Sequence, residues 1–571
     1  MKTKWEILQP DSRSVARLSQ RLKCHPITAA VLINRRIDST DAAVKFLNPS
    51  LKHLRPPFTL QDMDAAVRRI GAAIINHERI LIFGDYDVDG VTATALLLEF
   101  LHAIGADVSY YIPHRIKEGY GLQPHHILEH AHPHHTRLII TVDCGSSSHE
   151  AVEAARRLGI DVIITDHHKI SANIPPARAV INPQRDDCRA GLENLSGVGV
   201  AFALLICLRK HLRDLNFWRD AGEPNLKNLC DLVALGTIAD MVPLVDENRI
   251  FSRTGLELIY SGHRPGISAL LEAAGIADKA ADSDDVAFRL APRLNAAGRV
   301  DHASAAVQLL TAQDPAAAGQ IAQALNRMNS QRQDLEKKIL DDIQATLQTQ
   351  PERLQKKTLV LWHPQWHEGI LGIVASRIVE QYFRPVVLIA AKRETGKGSA
   401  RSIPGVDLYE ALVACDGHLT RFGGHSLAAG LTLPTENLAR FAAAFDNAVD
   451  QLVPPPQLVP TIAIDREIDF SAISARLIDE LESLSPFGAG NPEPLFMARN
   501  VVVVSSRIVG QNHRRMILRQ ISGGEASAVN AIHFNVNTRH PLKESFDRIA
   551  FRLRWNRWKD KKTAQIIIVE A

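Results

Sequence analysis

The sequence predicts an α/β protein: a parallel-sheet lobe joined by a long helix to a smaller α/β lobe, followed by a small C-terminal β-barrel. Three observations predict it. Between residues 80 and 166, short β-branched runs alternate with polar loops and helix-like segments, the pattern of a doubly wound parallel sheet. Between Gln320 and Gln350 no Gly or Pro occurs, and Ile321, Leu325, Met328, Leu335, Ile339 and Ile343 recur at helical steps. Beyond residue 460, short strand-like runs are separated by turns, as in a small barrel.

The 571 residues suit roughly three or four domains. Hydrophobic residues at 46% and charged residues at 23% are ordinary for a globular chain with ample core. The start "MKTKWEILQP" has no apolar h-region, and no run reaches the roughly eighteen apolar residues of a membrane span, so no membrane partner is expected. Six scattered cysteines with no CxxC pair argue against structural zinc and a disulfide scaffold, and point to a reducing cytoplasm. A net charge of +3 is too balanced to signal a polyanion partner, so any nucleic acid must bind local basic surfaces.

An N-terminal segment occupies residues 1–50 and the first lobe 51–250. Its strands are "ILIFGD", "DVSYYIPH", "RLIITVDCG" and "DVIITDHH", with "SHEAVEAARRLG" as a crossover helix. Ligands of such sheets sit at the carboxyl ends of the strands, where Asp85 to Asp89, Asp143 and Asp166-His167-His168 all fall. Asp240 follows the further apolar segment "NLCDLVALGTIA". A helical region with the connecting helix spans 251–350, the second lobe 351–453, and the barrel 461–571, with the proline-rich "VPPPQLVP" as a boundary.

Carboxylates packed as tightly as in "GDYDVDG" repel one another unless a cation sits among them. Asp85, Asp87, Asp89 and Gly90 match the start of an EF-hand loop, but position twelve is Leu96 rather than Glu, and a strand precedes the loop instead of a helix. Asp and His at strand ends suit Mg²⁺ or Mn²⁺, and five or six ligands suffice for two ions sharing one carboxylate. A single such Asp is more simply a turn or cap residue; their joint placement argues against that.

Together "GDYDVDG", "TVDCG", "TDHHK" and "GTIADMVPL" resemble the DHH phosphoesterase superfamily, and "RFGGHSLAAG" resembles the motif of its DHHA1 domain. The segments "EGYGL", "SGVGVAF" and "APRLNAAGR", with the barrel after "SPFGAGNPEPLF", resemble the RecJ family of bacterial 5′→3′ single-strand exonucleases, over nearly all the chain from about residue 50. The resemblance implies a DHH lobe, a DHHA1 lobe and an OB-like barrel. It implies metal ligands at Asp87, Asp89, Asp143, His167 and Asp240, with Asp143 bridging and His168 as ligand or donor to the scissile phosphate. Asp85 is the weaker metal candidate, either a ligand or a residue that orients ligands, and Asp166 either ligates or holds an imidazole in its tautomer. Superfamily members acting on small substrates carry a His four positions before the DxD pair; here Phe83 stands there, which fits the RecJ branch.

Arginine forks and glycine backbones suit phosphate, so Arg299, Ser399, Arg401, Gly423, Gly424 and His425 form an expected phosphate pocket, with Arg115 either a phosphate contact or a surface salt bridge. The six histidines between His125 and His135 are expected to be an exposed helix end rather than a metal site. "FRLRWNRWK", Phe551 to Lys559, is readable as a strand that stacks bases or as one whose apolar residues fill the barrel. The resemblance implies a metal-dependent 5′→3′ exonuclease releasing mononucleotides from single-stranded DNA in recombination and repair, with a single-strand-binding protein and a helicase as partners. Two alternatives are a phosphodiesterase of short oligonucleotides and a non-catalytic strand-binding scaffold.

Overall fold

The computed structural model describes residues 3–170, 172–218, 222–452, 459–521, 528–536, 542–558 and 561–571; most of "VPPPQLVP" and Lys559 lie outside them. The chain divides into two compact units, Pro56–Asp240 with Gly255–Pro460, and Thr3–Arg55 with Met241–Thr254 and Thr461–Ala571.

In the first unit β1 (Ile80–Gly84), β2 (Val108–Tyr111), β3 (Leu138–Val142), β4 (Asp161–Thr165) and β5 (Ala179–Ile181) form a parallel sheet in the order 2-1-3-4-5. Every residue of β1 and β3 is buried, as a sheet covered on both faces requires. The order reverses between β1 and β3, and the crevice at the carboxyl ends of those two strands is the topological switch point. Asp85 and Asp143 are the first residues beyond them. Helices α1 (Val88–Ala103), α2 (Gly197–Asp214) and α3 (Cys230–Ala239) pack on one another. The first and last are apolar around nearly their whole circumference, which commits them to the interior.

Beyond α4 (Ala291–Val300), the helix α5 (Pro315–Thr349) runs 35 residues, capped by Asp314 and opened by Pro315. It packs on α4, and its Ile339, Ile343 and Leu347 enter the core of the second lobe. That lobe holds β6 (Leu359–His363), β7 (Val386–Lys392), β8 (Thr395–Arg401), β9 (Arg421–Gly424) and β10 (Ala428–Pro434) in the order 9-10-8-7-6, with α6 (Leu371–Tyr382) against it. Only the pair β6–β7 is parallel.

The second unit carries β11 (Phe496–Val509), β12 (His513–Gln520), β13 (Ala528–His533), β14 (Ser545–Trp558) and β15 (Lys561–Glu570). Their order 11-12-13-15-14 closes through β14 back onto β11, and β13–β15 is its parallel pair, the arrangement of an OB barrel. Along β14, Phe551 and Leu553 enter the barrel core, while Arg554 pairs with Glu493, Arg557 with Glu482, and Trp555 Nε1 donates to Asp479. Phe551 and Leu553 therefore fill the barrel, and those polar groups hold neighbouring segments. Arg507, Arg515, Ile517 and Arg519 are instead exposed on β11 and β12.

The N-terminal segment belongs to this unit as well. Lys4–Ile7 pairs in parallel with Thr461–Ile464, and Val15, Leu18 and Leu32 share a core with Leu477, Phe496 and Phe551. Arg249 is buried here, with its guanidinium 3.7 Å from the Phe46 ring centre and donating to the carbonyls of Phe46, Ser485 and Pro486. Replacing Arg249 by Ala leaves the Phe46 and Ser485 carbonyls without this donor and empties a buried stacking site, so Arg249→Ala should destabilise this unit by about 3 kcal/mol in urea unfolding followed by tryptophan fluorescence.

Candidate metal centre

Each acidic side chain is aimed by the end of a regular element. Asp87 caps α1, its Oδ1 accepting from the N–H groups of Asp89 (3.0 Å) and Gly90 (3.1 Å), which leaves its other oxygen uncommitted. Asp89 lies in the first turn of α1, and its oxygens accept from Gly197 (2.6 Å) and Val198 (2.9 Å), the amides that open α2. Asp143 leaves β3 in the left-handed region, φ 61°, a conformation that Asp tolerates better than most residues. Asp240 closes α3.

These residues converge. Ligand atoms of Asp85, Asp87 and Asp143 lie within 4.8 Å of one another, as do those of Asp89, His167 and Asp240, and those of Asp143, His167 and His168. Asp143 stands between the first two groups, with His167 Nε2 3.2 Å from its Oδ1, 3.6 Å from Asp240 and 3.8 Å from Asp89. Asp85 Oδ1, Asp143 Oδ1 and His167 Nε2 are buried without a hydrogen-bond partner among the described residues. Such orphaned acceptors in one place are a fit for cations.

The electrostatics agree. Burial, then the neighbouring carboxylates, push Asp85, Asp143 and Asp240 well above the usual carboxyl range, and burial with Asp87 lifts Asp89 to about 7. Burial and the adjacent His168 hold His167 down at about 4, so its imidazole is neutral, with a lone pair on Nε2 while the Leu195 carbonyl takes its other N–H. Asp166 faces away from the cluster: it accepts from the N–H groups of Ser146, His167 and His168 and from His168 Nδ1 at 2.8 Å. Burial opposes charge on His168, and Asp166 outweighs it, raising the imidazole to about 9.

A basic pocket adjoins this cluster. Arg299, in the last turn of α4, donates to the Gly369 carbonyl, and Arg401 at the end of β8 donates to Ser399 Oγ (3.2 Å). Gly372 in the first turn of α6 faces both Arg401 and Ser399, since a Cβ there would lie 2.8 Å from Arg401 Nη2 and 3.1 Å from Ser399 Oγ. Burial and then Arg115, Arg332 and Arg401 push Arg299 down to about 9, with Asp87 also within its field. Burial, Arg401, Lys169 and His168 lower His425, which links the "FGGHS" segment to the same place. Gly424 has φ 147° and a Cβ would strike the Ala428 carbonyl at 2.4 Å, whereas Gly423 faces open space. Arg115 sits 4.7 Å over the Tyr86 ring, and among the described residues no carboxylate ion-pairs with it, Arg299 or Arg401. The surface salt bridge weighed for Arg115 is therefore absent there.

Sequence reasoning missed three contributors. Gly197 and Gly236 leave room for the carboxylates, and Tyr120 donates from its hydroxyl to the Asp143 carbonyl (3.2 Å) while lying 3.2 Å from His168 Nδ1. The glycines stand in quoted motifs, but only packing shows what they face. Among the clustered histidines, His126 is buried rather than on an exposed helix end, whereas His132, His134 and His135 are exposed.

Residues 79–237 match the DHH family, N-terminal domain; residues 355–451 match the DHHA1 domain; and residues 464–570 match the RecJ OB domain. The chain is 37% identical to the single-stranded-DNA-specific exonuclease RecJ of Escherichia coli (strain K12), over 91% of this chain and 92% of that protein. It is 36% identical to that of Bacillus subtilis (strain 168), over 100% of this chain and 71% of that protein. The crystal structure of RecJ in complex with Mn²⁺ from Thermus thermophilus superposes with a TM-score of 0.84 at 31% identity, covering 99% of this chain and 79% of that one. The Mg²⁺ complex from the same organism gives 0.77 at 30% identity, covering 99% and 78%.

A Cβ on Gly197 would lie 2.5 Å from Asp143 Oδ1. Gly197→Ala should therefore weaken Mn²⁺ binding about 10- to 100-fold by isothermal titration and lower the melting temperature by a few degrees, since the buried Asp143 side chain must shift.

Proposed function

The chain belongs to the RecJ family of single-stranded-DNA-specific exonucleases, and from that premise we propose that it hydrolyses single-stranded DNA from the 5′ end with two Mn²⁺ or Mg²⁺ ions, releasing mononucleotides. The observation that carries this reading is the apposition of a buried carboxylate–imidazole cluster and an arginine pocket that has no carboxylate ion-pair partner among the described residues, with Arg299 in the fields of both Asp87 and Arg401. A phosphate held by the arginines lies beside the cations.

Asp85, Asp87 and Asp143 would hold one ion, and Asp89, His167 and Asp240 the other, with Asp143 between them. Two such ions supply an activated water and neutralise charge on the leaving oxygen. The residues of the chain do the rest. Asp166 keeps His168 charged and aimed, so that its free N–H can donate to a phosphate oxygen. Tyr120 lies at the same Nδ1, 3.2 Å away, and leaves Nε2 free. Arg299, Arg401, Ser399 and the glycines of "FGGHS" receive the terminal 5′-phosphate, which sets polarity. In the barrel, Arg515 and Arg519, with exposed Ile517, offer charge and apolar surface on the second strand, part of the face that OB folds use for oligonucleotides, and Arg507 on β11 pairs beside Arg515. A short-oligonucleotide substrate would leave that surface without a task.

No helix among the described residues is long and apolar enough to cross a membrane. The six cysteines are unpaired, five of them buried, which supports a bacterial cytoplasm. Family membership supports recombinational and mismatch repair as the setting, with a single-strand-binding protein and a repair helicase as partners.

With 5′- and 3′-labelled strands and Mn²⁺, the 5′ label should leave first as mononucleotide, blunt duplex should resist, and EDTA should stop the reaction. Early release of the 3′ label, or equal attack on duplex, sinks the proposal. Asp143→Ala should abolish turnover while strand binding persists. Replacing both Arg515 and Arg519 by Ala should raise KM for long strands and flatten the salt dependence of binding by about two units of logarithmic slope, with dinucleotide turnover unchanged.

A further inference from the structure

The loop between β2 and residue 123 brings two side chains to the centre, Arg115 over Tyr86 and Tyr120 onto Asp143 and His168. Its backbone has little reason to hold that shape, because Tyr120 is flanked by Gly119 (φ 83°) and Gly121 (φ 78°), both left-handed. What holds it is Glu118. The carboxylate accepts from the Tyr111 hydroxyl (2.8 Å) and the His114 N–H (2.5 Å) and faces His126 Nε2 (3.3 Å), while the Glu118 N–H returns a bond to the His114 carbonyl (2.9 Å).

With His125 Nε2 3.7 Å away, Glu118, His125 and His126 have the outline of a metal site. His126 excludes that. Its Nδ1 accepts from the Gln123 N–H (2.9 Å), so the ring proton is on Nε2, which is a donor to Glu118 and not a ligand. His126 is buried against Phe83, ring centres 4.9 Å apart, and burial first, then His125, holds its pKa at about 4. Burial opposes ionisation of Glu118, and the His114 N–H, Tyr111 and His126 outweigh it, leaving the carboxyl below its ordinary value.

We propose that Glu118 is a positioning residue for strand capture, its carboxylate clasping the loop that presents Arg115 to the arginine pocket, while Tyr120 keeps its own anchors at Asp143 and His168. The proposal rests on the exonuclease reading. Three donors converge on the carboxylate, and an amide cannot replace it: one oxygen accepts two of them, and the –NH₂ is driven against the third.

The test measures kcat and KM on a 5′-phosphorylated single strand with Mn²⁺ for the full chain, Glu118→Gln, Tyr111→Phe, Arg115→Ala and the Glu118→Gln/Arg115→Ala pair, alongside thermal melts. Wild-type turnover of the strand tests the exonuclease reading separately. Glu118→Gln should raise KM about tenfold with little change in kcat or melting temperature, and Tyr111→Phe, which removes one donor, should raise it less. The paired variant should be scarcely worse than Arg115→Ala alone, because both act through one contact. Unchanged KM in Glu118→Gln, a loss that tracks the melting temperature, or multiplying effects in the pair overturns the proposal.

Discussion

Mutual repulsion among buried carboxylates is the constraint on which the rest of this protein depends. Asp85, Asp89 and Asp143 are buried within one crevice together with Asp87 and Asp240. Gathering such charges without counterions costs several kcal/mol per ion, so the scaffold must hold them by other means. It does so by fixing each at the end of an element already committed to the core: strands β1 and β3, the first turn of α1 and the last of α3. Backbone amides at the start of α2 hold Asp89, and the turn of α1 holds Asp87. The cluster is thus bound to the most rigid part of the first unit, where small displacements are resisted by packing on all sides.

The same logic divides the aspartates and histidines into kinds. Asp166 is satisfied by four donors and has none of the orphaned atoms that mark the cluster, and its carboxylate holds His168 Nδ1 and raises that imidazole. Its neighbour His167 has the opposite environment, a neutral ring with a bare nitrogen among carboxylates. Adjacent residues of one triplet are driven to opposite protonation states by what surrounds them.

Much of this is legible in the chain. Wholly buried strands leave continuous apolar runs, and the acids follow those runs directly, so the sheet and its loaded edge are readable together. Strand β5 leaves no such signal, because three residues amid prolines and polar groups carry too little pattern. The strand from Phe551 is ambiguous by nature, since alternation serves a barrel wall and a stacking platform equally; Glu493, Glu482 and Asp479, distant in sequence, decide it. Glu118 and Tyr120 lie within the quoted "EGYGL", but their partners at Tyr111, His126 and Asp143 are set by tertiary packing.

The pairing of Lys4–Ile7 with Thr461–Ile464 bears on how the protein is made. At ribosomal speeds of roughly 5–20 residues per second, the strand at Lys4 waits on the order of 20–90 s for its partner to be synthesised. Throughout that interval Val15, Leu18 and Leu32 have no Phe496 or Phe551 to cover them, while the intervening lobes can already fold. Birth order and spatial order run opposite in this chain. The unit with the OB barrel is assembled around a segment that left the ribosome long before.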